Sequence, residues 1–362
     1  MSITFGSSSA PSQVTINLDA LFSQSLAKYS KTLSDNIASA NAFMHLMKKS
    51  NFYTGENGGT DIRLPLLYAL STMDSYDGFD ELGDTQTDGV TQSVWEWRQE
   101  AVPITYSMRE VIQNREKLID LVETKITQAE MGFQEGWPTH FFQGAGTGLL
   151  ATPRTSPING SLSINPLGLL VSYTPTASGQ VVGNIDQSTS IWWQNQVKTS
   201  AATDLTTLLE EAVNLYNTCS RGTGGAPDLV IADQATYEAL VNAIYLKWRK
   251  TDNAEDENFP FEWTRFKKAK LIWDEKMPDV ANGQTNTTTK GSLYMLNTKF
   301  FRVKYINGRE FDMLKDESGK TFAKPIKGDS RLGHMAWMGQ ICVNNRRKHG
   351  VMGNIARTFT NT

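Results

Sequence analysis

The sequence predicts an α+β protein whose main elements are long and extend outward, and three observations support this prediction. Apolar residues near the N-terminus follow one long helical stripe. Two runs of β-forming residues then flank a centre rich in glycine and aspartate. A charged helical segment follows directly, with no glycine or proline between Ser107 and Gly132. With 362 residues, the chain is long enough for two or three domains or for one large protein with extended arms.

The composition restricts the class of protein. The formal net charge is -3, which argues against a nucleic-acid-binding face that covers the whole protein. No apolar run approaches the ~20 residues that span a bilayer, and the first residues lack the basic and apolar regions of a signal peptide. Cys219 and Cys342 are far apart in the sequence, which favours buried thiols in a reducing compartment. The composition therefore indicates a soluble protein made in the cytoplasm, without a membrane partner.

Residues 1–55 are predicted to form an N-terminal arm with an amphipathic helix. The beginning of this segment is rich in serine and weakly patterned. From Leu18 to Met47 the apolar residues recur every three or four positions, which is the pattern of a helix with one apolar face. A helix of this kind must bury that face against its own body or against a neighbour.

Residues 56–106 are predicted to form a projecting hairpin with a polar tip. From Glu56 to Glu100 there are ten acidic residues and two arginines, which gives a local charge of -8. The returning strand contains Trp95 and Trp97, which alternate with charged residues. A projecting hairpin has no core beneath it, so we expect Trp95, Trp97 and Arg98 to contact another subunit.

A capping box marks the start of the long helix. Ser107 is followed three residues later by Glu110, and in this arrangement each side chain satisfies a backbone donor of the other residue. We expect a helix over residues 107–136, roughly 40 Å long at 1.5 Å per residue. The helix belongs to a predicted structural part over residues 107–200, the rest of which is rich in loops.

A mixed α/β part is predicted over residues 201–295. The apolar spacing from Thr203 to Cys219 is typical of a helix, and the segment Pro227–Asp233 is typical of a short buried strand. Asp233 is then placed to cap a second helix. Strands and helices alternate too irregularly here for a doubly wound nucleotide-binding fold. Further strands are expected in the last part, residues 296–362, which is basic.

The motifs that carry catalytic or ligand-binding chemistry are incomplete. The glycines of Gly144–Gly148 lack the strand, the helix and the Gly-Lys-Ser/Thr that a phosphate loop needs, so a flexible turn is the favoured interpretation. Asp74, Asp77 and Asp80 are spaced by three residues, whereas a calcium loop needs a spacing of two. No histidine or cysteine pair has the spacing of a zinc site. The sequence therefore predicts no catalytic residue, no metal and no cofactor.

The segment Asn344–Gly350 is the only dense basic run. From Phe301 onward there are twelve basic and five acidic residues, a local charge of +7. One interpretation is a solvated face. The other is that Arg346, Arg347 and Lys348 meet a phosphate group in the interior, or an oppositely charged surface of another copy.

The order of these parts resembles the major capsid proteins of tailed bacteriophages. The motifs that carry the resemblance are FFQGAGTG after the long helix, GNIDQSTSIWWQNQ over 183–196, PDLVIADQATYEAL, SLYMLNTKFFRVKY and QICVNNRRKHGVMGNI over 340–355. The resemblance implies the HK97-like fold. In that fold the hairpin is the E-loop, the long helix is the spine helix, residues 107–200 and 296–362 form the peripheral (P) domain, and residues 201–295 form the axial (A) domain.

The resemblance implies a coat protein without an active site. Such a protein self-assembles into hexamers and pentamers of an icosahedral virion shell around double-stranded DNA, in the cytoplasm of a bacterial host. Its partners are copies of itself, a portal and a scaffolding protein, which we expect to be separate because the chain begins almost at the arm. The hairpin has no lysine between Lys49 and Lys117, so no crosslink from it is expected. An encapsulin-type shell and a hydrolase with an unrecognised motif remain the alternatives.

Overall fold

The computed structural model describes residues 42–49, 52–71, 73, 75–78, 88–113, 118–143, 163–178, 181–247, 264–278, 290–315, 319–324 and 328–359. Three sequence predictions concern residues outside these ranges. They are the arm helix from Leu18 to Asn41, the tip of the hairpin and the turn at Gly144–Gly148. Within the described ranges, no helix is long and apolar enough to cross a membrane.

The first part of the chain contains two short helices, a hairpin and one long helix. The elements are α1 (Ala42–Lys49), β1 (Tyr53–Glu56), β2 (Asp61–Leu67), β3 (Val90–Glu96), β4 (Arg98–Ser107), α2 (Met108–Gln113) and α3 (Leu118–Gln143). β2 and β3 pair antiparallel from Asp61 opposite Glu96 to Leu67 opposite Val90. The hairpin is therefore shorter than the predicted 56–106, because β4 leaves it and joins a sheet of the body.

The capping box predicted at the start of the long helix is confirmed. The backbone N–H of Glu110 donates to Ser107 Oγ at 3.1 Å, and the N–H of Ser107 donates to Glu110 Oε2 at 2.9 Å. α3 continues beyond the predicted end at residue 136 and includes Pro138. Proline normally interrupts a helix, but Trp137 and Phe141 on either side are buried. Their packing holds the last turn in place despite the lost hydrogen bond.

The second part of the chain alternates short helices and strands. The elements are α4 (Leu167–Leu170), β5 (Val181–Val182), β6 (Ile185–Asp186), β7 (Gln196–Thr199), α5 (Leu205–Ser220), β8 (Leu229–Ala232), α6 (Gln234–Lys247), β9 (Thr264–Phe266), β10 (Ala269–Trp273), β11 (Lys290–Leu296), β12 (Phe301–Ile306), β13 (Asp312–Met313), β14 (Ser330–Val343) and β15 (Gly350–Ala356). The predicted buried strand is confirmed, since every residue of β8 is buried. The helix predicted to follow it is α6, and the N–H of Thr236 donates to its capping residue Asp233.

One sheet carries the long helix. Among the described strands its order is β1-β12-β14-β13, and β4 pairs with β14 as well. The β4–β14 pairing is long, from Ser107 opposite Ser330 to Arg98 opposite Gly339. Aromatic side chains fill the space between this sheet, α1 and α3; for example, the rings of Phe43 and Phe141 stack at 4.3 Å.

A second sheet has the order β7-β15-β11-β8-β10-β9 among the described strands. One face packs against α5 and α6 through residues such as Val230, Leu271 and Met352. The other face contributes Ile231, Ile272 and Tyr294 to the core that contains α3 and the first sheet. The second sheet is therefore buried on both faces, and it joins the two halves of the molecule.

The last part of the chain divides between the two sheets. β12 and β14 lie in the first sheet, but β15 lies between β7 and β11 of the second sheet. This differs from the prediction that residues 296–362 form one part. Gly350 makes the insertion possible, because a Cβ there would lie only 2.7 Å from Cys219 Sγ.

Candidate functional site

The root of the hairpin rests on its own subunit. The inner face of β2 and β3 carries buried Ile62, Leu64 and Leu66. The N–H of Val94 donates to Gly183 O at 3.1 Å. Gly183 is in the left-handed region with φ 62, and a Cβ there would lie 2.9 Å from the ring of Trp95. The turn between β5 and β6 is therefore a support for the hairpin, and only a glycine fits it.

This support corrects the prediction for Trp95. The side chain is 2% exposed, and its Nε1 donates to Ser93 Oγ at 3.0 Å. The prediction that Trp95 faces another subunit is therefore wrong, because the residue belongs to the core of its own chain. Trp95 and the charged Glu96 point to opposite faces of β3, which explains the alternation seen in the sequence.

Trp97 and Arg98 lie where the hairpin leaves the body. Trp97 is half-buried, and its Nε1 donates to Gly59 O at 2.9 Å. Arg98 forms an ion pair with Glu96 at 2.8 Å, and its side chain is 11% exposed. The Trp97 hydrogen bond ties the junction of β3 and β4 to the residues before β2. A contact of these two residues with another subunit remains a prediction.

The outer part of the hairpin exposes apolar side chains that the sequence analysis did not select. Leu67 and Val90 lie opposite each other on the outer face and are both about two-thirds exposed. Beyond them Leu70 is 75% and Met73 is 93% exposed. Large apolar groups that share one exposed segment are typical of a surface that another protein covers. In the sequence, Leu70 and Met73 stand out only as apolar residues after Leu67 that do not follow the alternation of a strand.

The structure also corrects the interpretation of the basic run. Arg346 is fully buried, and its Nε donates to Leu170 O at 2.8 Å. Its terminal nitrogens donate to Gln187 Oε1 and to Asn195 Oδ1. Arg346 is therefore not available to DNA, and it instead joins the last segment of the chain to the segment between α4 and β7. Burial lowers the pKa of the guanidinium to about 9.

Lys348 is buried as well, whereas Arg347 between them is exposed. Lys348 Nζ donates to main-chain carbonyl oxygens after α5, including Arg221 O at 2.8 Å and Gly222 O at 3.1 Å. The prediction of a basic contact surface is wrong for Arg346 and Lys348, because both side chains turn inward to bind carbonyl groups. For Arg347 it remains a prediction.

His349 completes this buried segment. It is fully buried, and its Nδ1 accepts a hydrogen bond from the N–H of Asn297 at 3.2 Å. Burial, together with the charge of Arg346, lowers the pKa of His349 to about 3. The imidazole is therefore neutral at physiological pH, and it links β11 to β15.

The free energy of unfolding is expected to fall when the pH decreases from 6.5 toward 3. In this range the unfolded chain protonates His349 while the folded subunit keeps it neutral, so the unfolded state binds more protons and stability rises with pH. Across this pH range, protonation of His349 is expected to lower the free energy of unfolding by roughly 5 kcal/mol. Urea unfolding at several pH values measures it, and His349→Gln is expected to flatten the pH dependence. Equal slopes for the two proteins would contradict the assignment.

The titratable side chains of the described residues were the next candidates for a site. No set of three His, Cys, Asp or Glu side chains in the described ranges is arranged to hold a metal ion. Both cysteines are buried, and burial raises the pKa of the Cys219 thiol to about 12. A thiol of this kind remains protonated and is a poor nucleophile. The candidate functional surface is the outer hairpin, where large apolar side chains are exposed.

Comparison with known proteins gives likeness in structure only. No family model and no curated protein sequence matches the chain. The capsid of an empty GTA particle is 12% identical with a TM-score of 0.53, covering 88% of this chain and 90% of that chain. The capsid of cyanophage A-1(L) is 12% identical with a TM-score of 0.55, and the match covers 86% of this chain and 92% of that chain. A structure of Mycobacterium phage Ogopogo is 10% identical with a TM-score of 0.53, and the match covers 85% of this chain and 91% of that chain.

These similarities confirm the predicted fold. The chain has the α+β, HK97-like fold of capsid proteins, and the likeness extends over most of each chain. Identities this low show the fold and leave the function to be argued from the surface of the subunit.

Proposed function

We propose that the chain is a coat protein that self-assembles into the hexamers and pentamers of an icosahedral shell around double-stranded DNA, as in tailed bacteriophages. The observation that carries the proposal is the exposed apolar outer hairpin on a subunit with a capsid fold. Leu70 and Met73 are largely exposed in their own subunit, and a second copy is the partner that would bury them.

The distribution of charge supports contact between copies. The hairpin region has a charge of -8 and the region after Phe301 a charge of +7. Surfaces of opposite charge steer copies toward each other and fix their orientation more than they add affinity. Since Arg346 and Lys348 are buried and Lys304 pairs with Glu56 of its own subunit, exposed bases such as Lys324 and Arg347 supply the positive surface. A portal and a scaffolding protein are further proposed partners, and the virion is the proposed location.

Purified full-length protein is expected to form closed particles tens of nanometres across, which electron microscopy would show. Particles formed with scaffolding and portal genes that take up DNA would support the phage coat protein. Particles that instead enclose a co-expressed enzyme would favour the encapsulin-type alternative. A monomer that turns over a substrate and forms no particles under any condition would contradict both.

A further inference from the structure

Two Asn-Gly pairs lie side by side where β1 and β12 end. These two strands pair in parallel, so the residues that follow them leave the sheet at the same edge. The pairs are Asn57-Gly58 after β1 and Asn307-Gly308 after β12, and all four residues are exposed. Two further Asn-Gly pairs, at 159–160 and 282–283, lie outside the described residues.

An asparagine that precedes a glycine can lose its side-chain amide without an enzyme. The main-chain nitrogen of the glycine attacks the asparagine Cγ, and a new C–N bond closes a succinimide ring. The bond from Cγ to Nδ2 breaks, and the proton lost by the attacking nitrogen leaves through water with the departing ammonia. Water then opens the ring at either carbonyl, which gives aspartate or isoaspartate. Glycine favours the reaction because it has no side chain to obstruct the attack and its backbone rotates freely.

A hydrogen bond between the two pairs gives the two asparagines different roles. Asn307 Nδ2 donates to Asn57 Oδ1 at 2.6 Å. This bond polarises the Asn57 side-chain carbonyl and stabilises the negative charge that grows on Oδ1 during the attack. For Asn307 the same bond has the opposite effect, because it engages the nitrogen that would have to leave. The contact therefore activates Asn57 and protects Asn307.

The backbone around Asn307 is fixed by further contacts. The N–H of Asn307 donates to Glu56 O at 2.9 Å, and a turn closes when the N–H of Arg309 donates to Ile306 O at 3.0 Å. The side-chain Oδ1 of Asn307 lies over Gly55, where a Cβ would collide with it. Asn307 would have to leave these contacts in order to form a ring with Gly308.

The attacking group next to Asn57 is free by comparison. Gly58 has a φ of 130, and no atom lies within 4 Å of the position that a Cβ would occupy there. Among the described residues, the N–H of Gly58 has no main-chain acceptor. The Gly58 nitrogen can therefore turn toward Asn57 Cγ without breaking a hydrogen bond.

We propose that Asn57 is a site of spontaneous deamidation, in which the Gly58 nitrogen is the nucleophile and the Asn307 amide activates the carbonyl under attack. The reaction needs only water. It goes beyond the proposed coat function, since it gives the subunit a chemical change that proceeds with time after folding.

Deamidation at Asn57 acts on the root of the hairpin. Asn57 lies between β1 and β2, and two residues later Gly59 O accepts the hydrogen bond from Trp97 Nε1 at 2.9 Å. Isoaspartate adds a methylene group to the main chain at this point, and either product replaces the amide with a carboxylate. The new carboxylate lies next to Glu56, in a region whose charge is already -8. Aged subunits therefore differ from new ones where the hairpin joins the body.

Incubation of the full-length protein at mildly alkaline pH, followed by peptide mapping with mass spectrometry, tests the proposal. In the folded protein Asn57 is expected to deamidate about fivefold faster than Asn307, which is the rate equivalent of one ordinary hydrogen bond. In urea the two rates should become similar, because both asparagines precede a glycine and the fold no longer distinguishes them. The comparison is internal, so it needs no variant.

Asn307→Ala tests the activating contact directly. It removes the donor to Asn57 Oδ1 and is expected to slow deamidation of Asn57 about fivefold. Asn214→Ala is the matched control, because Asn214 is exposed on α5, and it should leave the rate at Asn57 unchanged. Circular dichroism confirms that both variants are folded.

Several results would overturn the proposal. They are equal rates at Asn57 and Asn307 in the folded protein, faster loss at Asn307, and an Asn57 that stays intact while the same residue deamidates in urea. An Asn307→Ala variant in which Asn57 deamidates at least as fast as in wild type would also overturn it, because the hydrogen bond would then not activate the site.

Discussion

Replacing Arg346 with alanine is expected to destabilise the folded subunit strongly. The side chain is fully buried, and its nitrogens satisfy Leu170 O, Gln187 Oε1 and Asn195 Oδ1. Truncation removes the Arg346 donors from these buried oxygens, of which Asn195 Oδ1 keeps the N–H of Ser172, and opens a cavity over the ring of Trp193, which the guanidinium covers. The cost is about 3–5 kcal/mol, a large share of the roughly 5–15 kcal/mol that stabilises a domain.

Arg347→Ala is the matched control for this prediction. Arg347 is the adjacent residue, of the same type, and it is exposed. Its removal should change the free energy of unfolding by less than about 0.5 kcal/mol. Urea unfolding and the yield of soluble subunit would measure both variants. Similar stability of the two would show that the buried hydrogen bonds of Arg346 contribute little.

The contrast between these two arginines shows where sequence reasoning stopped. In the sequence they are equivalent members of one basic run. Only the fold separates them, because Arg346 meets Asn195, which is 151 residues away along the chain. A short basic segment does not indicate which side chain points inward. That depends on carbonyl groups of distant loops, which have no sequence pattern of their own.

Features set by neighbouring residues were predicted better than features set by contacts between distant parts of the chain. The capping box at Ser107 and Glu110 depends on neighbouring residues, and the structure has it as predicted. The buried strand β8 and the cap at Asp233 are also local and were also predicted correctly. The burial of Trp95 was missed because Gly183, which supports it, lies far along the chain.

Replacing both Leu70 and Met73 with serine is expected to abolish particle formation while the subunit remains folded. Both side chains are largely exposed in the isolated subunit, so their loss should change its free energy of unfolding by less than about 0.5 kcal/mol. If a neighbouring copy buries them, each contributes about 1.5–3 kcal/mol to every contact. Losing both should raise the concentration needed for assembly more than about tenfold. Light scattering and electron microscopy would measure assembly, and urea unfolding the stability.

Three further variants separate this surface from the core beneath it. Met73→Leu keeps the apolar group and should assemble normally. Trp95→Ala should lose folding and assembly together, because Trp95 is buried in its own subunit. Trp97→Ala is expected to impair assembly more than folding, since Trp97 is only half-buried at the hairpin root. If the double serine variant assembles as well as wild type, Leu70 and Met73 are not part of the interface between copies. Trp97 is the half-buried aromatic group at the hairpin root, so the effect of Trp97→Ala then tests that surface.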